Sequence, residues 1–121
     1  PTVAVDFDGT LAQDPGHFEA DLTKLKPRPN ARKWMKAFQD AGARIIIFTV
    51  RGDAQAIKDW CHDQDIPVDY VNENPDQPSD ASGKVIATCY WDDRAVSAAG
   101  ALNKSAPEVL RRLERAVPDT T

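Results

Sequence analysis

The chain of 121 residues is long enough for one domain with a sizeable hydrophobic core. Its hydrophobic fraction of 41% and charged fraction of 28% are ordinary for a globular protein in water, and no apolar run has the length of a membrane span. The net charge of -4 and the pI near 5.0 argue against broad binding to nucleic acid, which usually needs a basic face.

The two cysteines, Cys61 and Cys89, are most simply explained as reduced thiols. Neither has a metal-ligand spacing with the other or with His17 and His62, which we interpret as surface residues. The first residues lack the basic and apolar regions of a signal peptide. We therefore expect a cytoplasmic protein that forms a single domain over residues 1–121, with no membrane segment.

The chain opens with a β-branched run, residues 3–5, that predicts a buried strand. Asp6 and Asp8 follow it one residue apart, so their side chains point the same way if the extended geometry continues. Gly9 then permits a sharp turn. Because Asp followed by Gly is also an ordinary solvated turn, this motif alone leaves open whether the acids bind a cation such as Mg²⁺ or only form the turn.

Two helices are predicted in the first half of the chain. The first covers residues 31–41, with Asn30 as its N-cap and Gly42 just past its end. The second begins after Asp53, its N-cap, and runs to about Gln64. Each carries an apolar stripe, and we assign both stripes to the core. The stripes are formed by Ala31, Trp34, Met35, Phe38 and Ala41, and by Ile57, Trp60 and Cys61.

Three more strands are predicted, at residues 44–49, 69–71 and 87–91. The uninterrupted apolar run in the first of them is typical of a strand buried on both faces of a parallel sheet. Alternating strands and helices predict an α/β fold, a Rossmann-like three-layer sandwich with a mainly parallel sheet. A capping box from Ser105 to Glu108 predicts the start of the last helix. The apolar stripe of that helix consists of Val109, Leu110, Leu113 and Val117.

Polar side chains follow three of the predicted strands. They are Asp6 and Asp8, then Thr49 and Arg51, then Asp92 and Asp93. In a parallel α/β sheet, ligands bind beyond the carboxyl ends of the strands, so these clusters are expected to share one edge and one site. This convergence favours chemistry over a simple turn at the first strand.

In chain order the polar motifs are Asp6-Phe7-Asp8-Gly9-Thr10-Leu11, Thr49, Lys84 and Asp92-Asp93. With these motifs the sequence resembles the haloacid dehalogenase (HAD) superfamily of phosphohydrolases, over roughly its first hundred residues. The intervals between the motifs are too short for the cap domain that this superfamily usually inserts. The resemblance therefore implies a capless member, whose site is open unless a neighbouring subunit of a homo-oligomer covers it.

The resemblance also implies an enzyme, a Mg²⁺-dependent phosphomonoester hydrolase that works through an aspartyl-phosphate. Asp6 would be the nucleophile, and Asp8 would act as general acid and then as general base. Mg²⁺ would be bound by Asp6, by the backbone carbonyl of Asp8 and by one carboxylate of the acid pair. We favour Asp92 as the direct ligand and Asp93 as its outer partner, although the sequence does not separate the two.

The remaining site residues would bind the phosphate. Thr49 would donate its hydroxyl to the phosphate, and Lys84 would neutralise both phosphate and nucleophile. Lys84 lies nearer to the acid pair than in many members, so Lys58 on the second helix stays an alternative, as does a surface role for Lys84. Arg51 is placed where it could grip the substrate phosphate. Asn72, and with it Asn74, borders the expected site and could contact the leaving group.

We expect the substrate to be a small phosphorylated metabolite, either a sugar phosphate or a nucleotide. Arg51 and Asp92-Asp93-Arg94 are also similar to the phosphatase domain of polynucleotide kinases. A polynucleotide 3′-phosphatase is therefore an alternative, although the acidic pI counts against it. A non-enzymatic module that resembles response-regulator receivers is a further alternative. The phosphate-accepting Asp of a receiver would end a central strand, where this chain has Thr49, and Asp53 lies further along the chain.

Overall fold

The computed structural model describes residues 1–75, 87–91 and 102–115. These residues form four strands, three α-helices and one short 3-10 turn. In chain order the elements are β1 (Thr2–Asp6), the 3-10 turn (Leu22–Lys24), α1 (Ala31–Asp40), β2 (Arg44–Phe48), α2 (Ala54–Asp63), β3 (Tyr70–Val71), β4 (Cys89–Trp91) and α3 (Leu102–Arg115). No helix in these described ranges is both long and apolar enough to span a bilayer.

The strands form one parallel sheet in the order β3-β2-β1-β4. Val5 of β1 is paired with Ile47 on one side and with Trp91 on the other. The carboxyl ends of β2, β1 and β4 therefore meet at one edge of the sheet. The predicted α/β class and parallel sheet are confirmed, and β1, which carries Asp6, is a central strand.

The main hydrophobic core lies between the helices and one face of the sheet. Alternate residues of the central strands, such as Val5 and Ile47, contribute to it and are fully buried. Residues from all three described helices pack into the same cluster. They include Met35 and Phe38 of α1, Ile57, Trp60 and Cys61 of α2, and Ala106, Val109 and Leu113 of α3. The predicted core stripes are confirmed for these residues, and Trp34 and Leu110 pack against the cluster while partly buried. Ala41 lies past the end of α1 and is not part of the cluster. A second outer layer of the sandwich is not among the described residues.

The opposite face of the sheet holds a smaller cluster. Ala4 and Ile46 are fully buried there and pack against partly buried Phe48, Tyr70 and Ala87. Because adjacent residues of β2 are buried on both faces, its apolar run is continuous rather than alternating.

Two of the predicted helix-end residues, Asp53 and Gly42, act as the sequence indicates. The Asp53 side chain accepts a hydrogen bond from the Ala56 N–H at 3.0 Å, as an N-cap should. Gly42 has a φ of 86° and donates its N–H to the Gln39 carbonyl, which closes α1. Asn30 does precede α1, but its φ is 67° and its side chain makes no capping bond. Asn30 therefore occupies the predicted N-cap position without the side-chain bond that is usual there.

The start of α3 also differs from the prediction. This helix begins at Leu102, so Pro107 lies inside it and the capping box at Ser105 is wrong. Glu108 instead forms ion pairs with two arginines of the following turn. An interior proline costs a helix about 3 kcal/mol, and α3 forms because its apolar face is buried against the core. Val117, the last residue of the predicted stripe, lies outside the described residues.

Candidate active site

The two acids lie on a tight turn that follows β1. Asp6 is the last residue of the strand and is half-buried, as is Asp8. The Phe7 carbonyl accepts hydrogen bonds from the N–H groups of Leu11 and Ala12, both at 3.0 Å, and these bonds close the turn. Gly9 has a φ of 82°, a conformation that non-glycine residues rarely adopt, so its predicted role is confirmed.

Arg28 stabilises this turn through two hydrogen bonds. Its Nη1 donates to the Gly9 carbonyl at 2.7 Å, and its backbone N–H donates to the Leu11 carbonyl, also at 2.7 Å. Sequence reasoning missed Arg28, and its position between Pro27 and Pro29 is the only signal we find for it. Two prolines favour an extended backbone, which leaves the N–H of the intervening residue free to pair with another segment.

Asp8 is held by a bidentate ion pair with Arg51. Arg51 Nε and Nη2 donate to the two carboxylate oxygens at 2.9 and 2.7 Å. Its Nη1 donates to the Glu19 carbonyl at 2.6 Å. The Arg51 side chain is 8% exposed and that of Asp8 is 43% exposed. The guanidinium that we predicted to bind the substrate phosphate is therefore bound to the Asp8 carboxylate in the structure.

Two aromatic rings flank the same guanidinium. The Cζ of Arg51 lies 4.6 Å from the ring centre of Phe18 and 5.8 Å from that of Phe7. Such cation–π contacts fix the plane of the guanidinium, and with it the orientation of the carboxylate it binds. Sequence reasoning missed Phe18, because a single aromatic residue in an irregular segment gives no periodic signal.

Asn72 fixes the backbone of Thr49. Its Oδ1 accepts the Thr49 N–H at 2.8 Å and its Nδ2 donates to the Thr49 carbonyl at 2.9 Å. The Thr49 Oγ1 accepts the Arg51 N–H at 3.1 Å. A hydroxyl that accepts one bond still has a proton to donate, which is what a phosphate ligand requires. Asn72 was predicted to contact the leaving group, and in the structure its amide binds the backbone of Thr49.

The other predicted residues are not gathered in the described part of the site. Asn74 accepts a bond of 3.4 Å from Arg44, at the start of β2 and far from its carboxyl end. Lys58 lines a groove of about 590 Å³ together with residues of α1 and of the loop after α2, such as Lys36 and Asp65. Lys84, Asp92 and Asp93 lie outside the described residues.

The predicted cation site can be assessed from its oxygen donors. The carboxylate of Asp6 and the backbone carbonyl of Asp8 belong to the same turn, and hard oxygen donors suit Mg²⁺. Arg51 occupies the carboxylate of Asp8, which is consistent with a carbonyl ligand from this residue. Trp91 pairs with Val5, one residue before Asp6, and the acid pair follows Trp91 in sequence. Among residues 1–75, 87–91 and 102–115 no group of three or more acidic, histidine or cysteine side chains forms a metal site.

Comparison with known proteins gives structural neighbours. A conserved protein from Bacteroides thetaiotaomicron is 27% identical in sequence, with a TM-score of 0.64 over 80% of this chain and 78% of that chain. A structural-genomics target from Vibrio cholerae is 22% identical, with a TM-score of 0.58 over 94% of this chain and 97% of that chain. No family model and no curated protein matches the sequence. The neighbours support the fold, and their descriptions state no activity.

Proposed function

We propose that this chain is a Mg²⁺-dependent phosphomonoester hydrolase that forms an aspartyl-phosphate and acts on a small phosphorylated metabolite, a sugar phosphate or a nucleotide. The observation that carries the proposal is the position of Asp6 and Asp8 at the carboxyl end of central strand β1, beside Thr49 at the end of β2. Parallel α/β sheets bind their ligands at this edge.

Asp6 is the nucleophile in this mechanism. Its carboxylate attacks phosphorus, the bond between phosphorus and the leaving oxygen breaks, and an aspartyl-phosphate forms. Asp8 donates a proton to the leaving oxygen and then takes one from the water that hydrolyses the intermediate. Each carboxylate oxygen of Asp8 has a second lone pair beyond the one that Arg51 uses, and the side chain is exposed enough to reach substrate.

The neighbouring residues hold these groups in line. Arg51 orients Asp8, and Asn72 fixes the segment from which the Thr49 hydroxyl donates to the phosphate. Holding the reacting groups in attack geometry supplies much of the rate enhancement in phosphoryl transfer. Lys84 is the proposed lysine that neutralises the phosphate.

Mg²⁺ would be held by Asp6, the Asp8 carbonyl and a carboxylate of Asp92 or Asp93. When bound, it supplies positive charge against the phosphate oxygens and the nucleophile. We place the enzyme in the cytoplasm, where the two cysteines, both free and buried in the structure, would stay reduced.

Hydrolysis of p-nitrophenyl phosphate with Mg²⁺ and in excess chelator tests the proposal. We expect turnover only with the metal, and loss of turnover in Asp6→Asn, because an amide does not attack phosphorus. Asp40→Asn, a change of the same kind at an exposed position at the end of α1, is the matched control and should retain activity. Full activity in chelator would contradict the metal's role, and unchanged rates in Asp6→Asn would contradict the nucleophile.

The substrate class needs a separate panel. Sugar phosphates, nucleotides and 3′-phosphorylated oligonucleotides are compared by kcat/KM with the wild-type protein. We expect the small metabolites to be preferred. A marked preference for the oligonucleotides would show that the substrate is the end of a polynucleotide and not a small metabolite.

A further inference from the structure

A small cavity is lined in part by Arg51, the residue that binds Asp8. Its volume is about 260 Å³, and it lies between the segment that precedes α1 and the start of α2. Its walls are mainly apolar. They include Phe18, Ala20, Leu22, Val50, Ala56 and Ile57. Arg51 is both a wall of this cavity and the partner of Asp8, so one residue links the cavity to the acid that would protonate a leaving group.

Two walls of this cavity are unusually exposed for apolar residues. Phe18 is 71% exposed and Val50 is 98% exposed. Within the described part of the chain, only three large hydrophobic side chains are exposed, and these are two of them. Single exposed hydrophobic residues are common, but two at the mouth of one cavity form a patch that favours an apolar ligand.

The chemistry of the cavity suits a flat ring. Arg51 lies over one face of the Phe18 ring at 4.6 Å, and the exposed part of this residue offers an aromatic surface for stacking. Asp53 lines the polar edge of the cavity, and its Oδ1 accepts the hydrogen bond that caps α2. A volume of about 260 Å³ is a little below the roughly 300 Å³ at which pockets for drug-sized ligands begin. One ring system is of a size to fill it.

We propose that this cavity, the ring pocket, binds a planar ring carried by the leaving group of the substrate. The inference rests on the proposed phosphatase function, because it takes the phosphate to lie at Asp6. It makes Phe18 and Val50 specificity-determining residues. The ring comes from a nucleobase or from a simpler aryl group, and the experiment separates these two sources.

The test compares ligands that share a phosphorylated primary alcohol and differ in the ring. Adenosine 5′-monophosphate is compared with methyl ribofuranoside 5-phosphate, and benzyl phosphate with methyl phosphate. Binding to Asp6→Asn is measured by calorimetry, since this variant should not turn the ligands over. Stacking on an aromatic side chain is worth about 1–3 kcal/mol, or roughly 5- to 150-fold in affinity. We expect the ligands with a ring to bind at least about fivefold more tightly.

Three substitutions, each added to Asp6→Asn, locate the preference. Phe18→Ala should abolish most of the ring preference, and Phe18→Tyr, which keeps the ring, should retain it. Val50→Asp places a charge at the mouth of the pocket and should also abolish it. Val50 is almost fully exposed, so this change should leave folding intact. A preference in the nucleotide pair alone would assign the ring to a nucleobase, and one in both pairs to any aryl group.

Different experimental results would contradict the ring pocket and the phosphatase proposal. Equal affinities within both ligand pairs would overturn the ring pocket even if the wild-type protein hydrolyses every ester. A ring preference unchanged by Phe18→Ala and Val50→Asp would also overturn it. If the wild-type protein hydrolyses none of the esters while the preference and its loss in the variants are observed, the phosphatase function is overturned and the pocket stands as a binding site.

Discussion

The ion pair between Arg51 and Asp8 should contribute measurably to the stability of the fold. Exposed ion pairs are worth about 0.2–1 kcal/mol, whereas breaking a fully buried one costs about 3–5 kcal/mol. This pair lies between these limits, because Arg51 is 8% exposed and Asp8 is 43% exposed. Its two charge-assisted bonds have good lengths, 2.9 and 2.7 Å. We therefore expect a coupling energy of about 1–2 kcal/mol.

A double-mutant cycle measures this coupling. Urea unfolding is recorded at pH 7 for the wild-type protein, Arg51→Ala, Asp8→Ala and the double variant. Arg51→Ala alone should cost about 2–3 kcal/mol, because it also removes the bond to the Glu19 carbonyl and the contact with Phe18. A coupling below about 0.5 kcal/mol would lie within ordinary additivity and would refute the argument.

The control is the ion pair between Lys36 and Asp65. Its N···O distance is 2.7 Å, equal to the shorter bond of the Arg51 pair, but its side chains are 45% and 68% exposed. The same cycle on this pair should give a clearly smaller coupling, because solvent screens exposed charges. An equal coupling for both pairs would show that burial of Arg51 has no effect.

Three further predictions concern catalysis and stability. Asp8→Asn should slow turnover by roughly two to four orders of magnitude, with a smaller loss for nitrophenyl than for alkyl phosphates, and equal losses would contradict its role as the acid. Pro107→Ala should raise the free energy of unfolding by about 2 kcal/mol, because the helix regains about 3 kcal/mol while the more flexible unfolded chain offsets up to about 1 kcal/mol. A neutral effect in urea unfolding would contradict a helix that begins at Leu102. Burial raises the pKa of Cys61 from 9.0 to about 12 and also raises the pKa of Cys89. The contribution of the buried thiols to the free energy of unfolding should therefore be fully present below pH 9 and be lost as the pH rises towards 12. Urea unfolding at a series of pH values should show a smaller loss for Cys61→Ala.

The sequence predicts the sheet well because its signals are local. The apolar run that predicts β2 and the pair of acids that follows β1 are each contained in a short stretch of the sequence. The parallel arrangement then determines that the strand ends meet. Tertiary packing outweighs local signals at α3, where Ser105, Pro107 and Glu108 resemble a helix start while Ala106 is fully buried inside the helix.

The partners of the site residues are harder to predict. Arg51 and Asp8 are 43 positions apart in sequence, and Asn72 and Thr49 are 23 apart. The sequence predicts that such residues lie at one edge of a sheet. Which hydrogen bonds they form depends on the length of their side chains and on the local backbone angles. Asn72, for example, has a φ of 55°, which no pattern in the sequence indicates. The sequence predicted that Arg51 and Asn72 contact substrate, but it did not indicate their contacts with Asp8 and Thr49.

Chemical trapping of the phosphorylated residue tests the central claim most directly. The protein is mixed with substrate and Mg²⁺, quenched during turnover, and treated with borohydride, which reduces an aspartyl-phosphate to homoserine. Peptide mass spectrometry then locates the modified residue. We predict homoserine at position 6, and none there in Asp6→Asn. Modification at Asp8 or Asp53 instead, or unmodified Asp6 during continuing hydrolysis, would contradict the account.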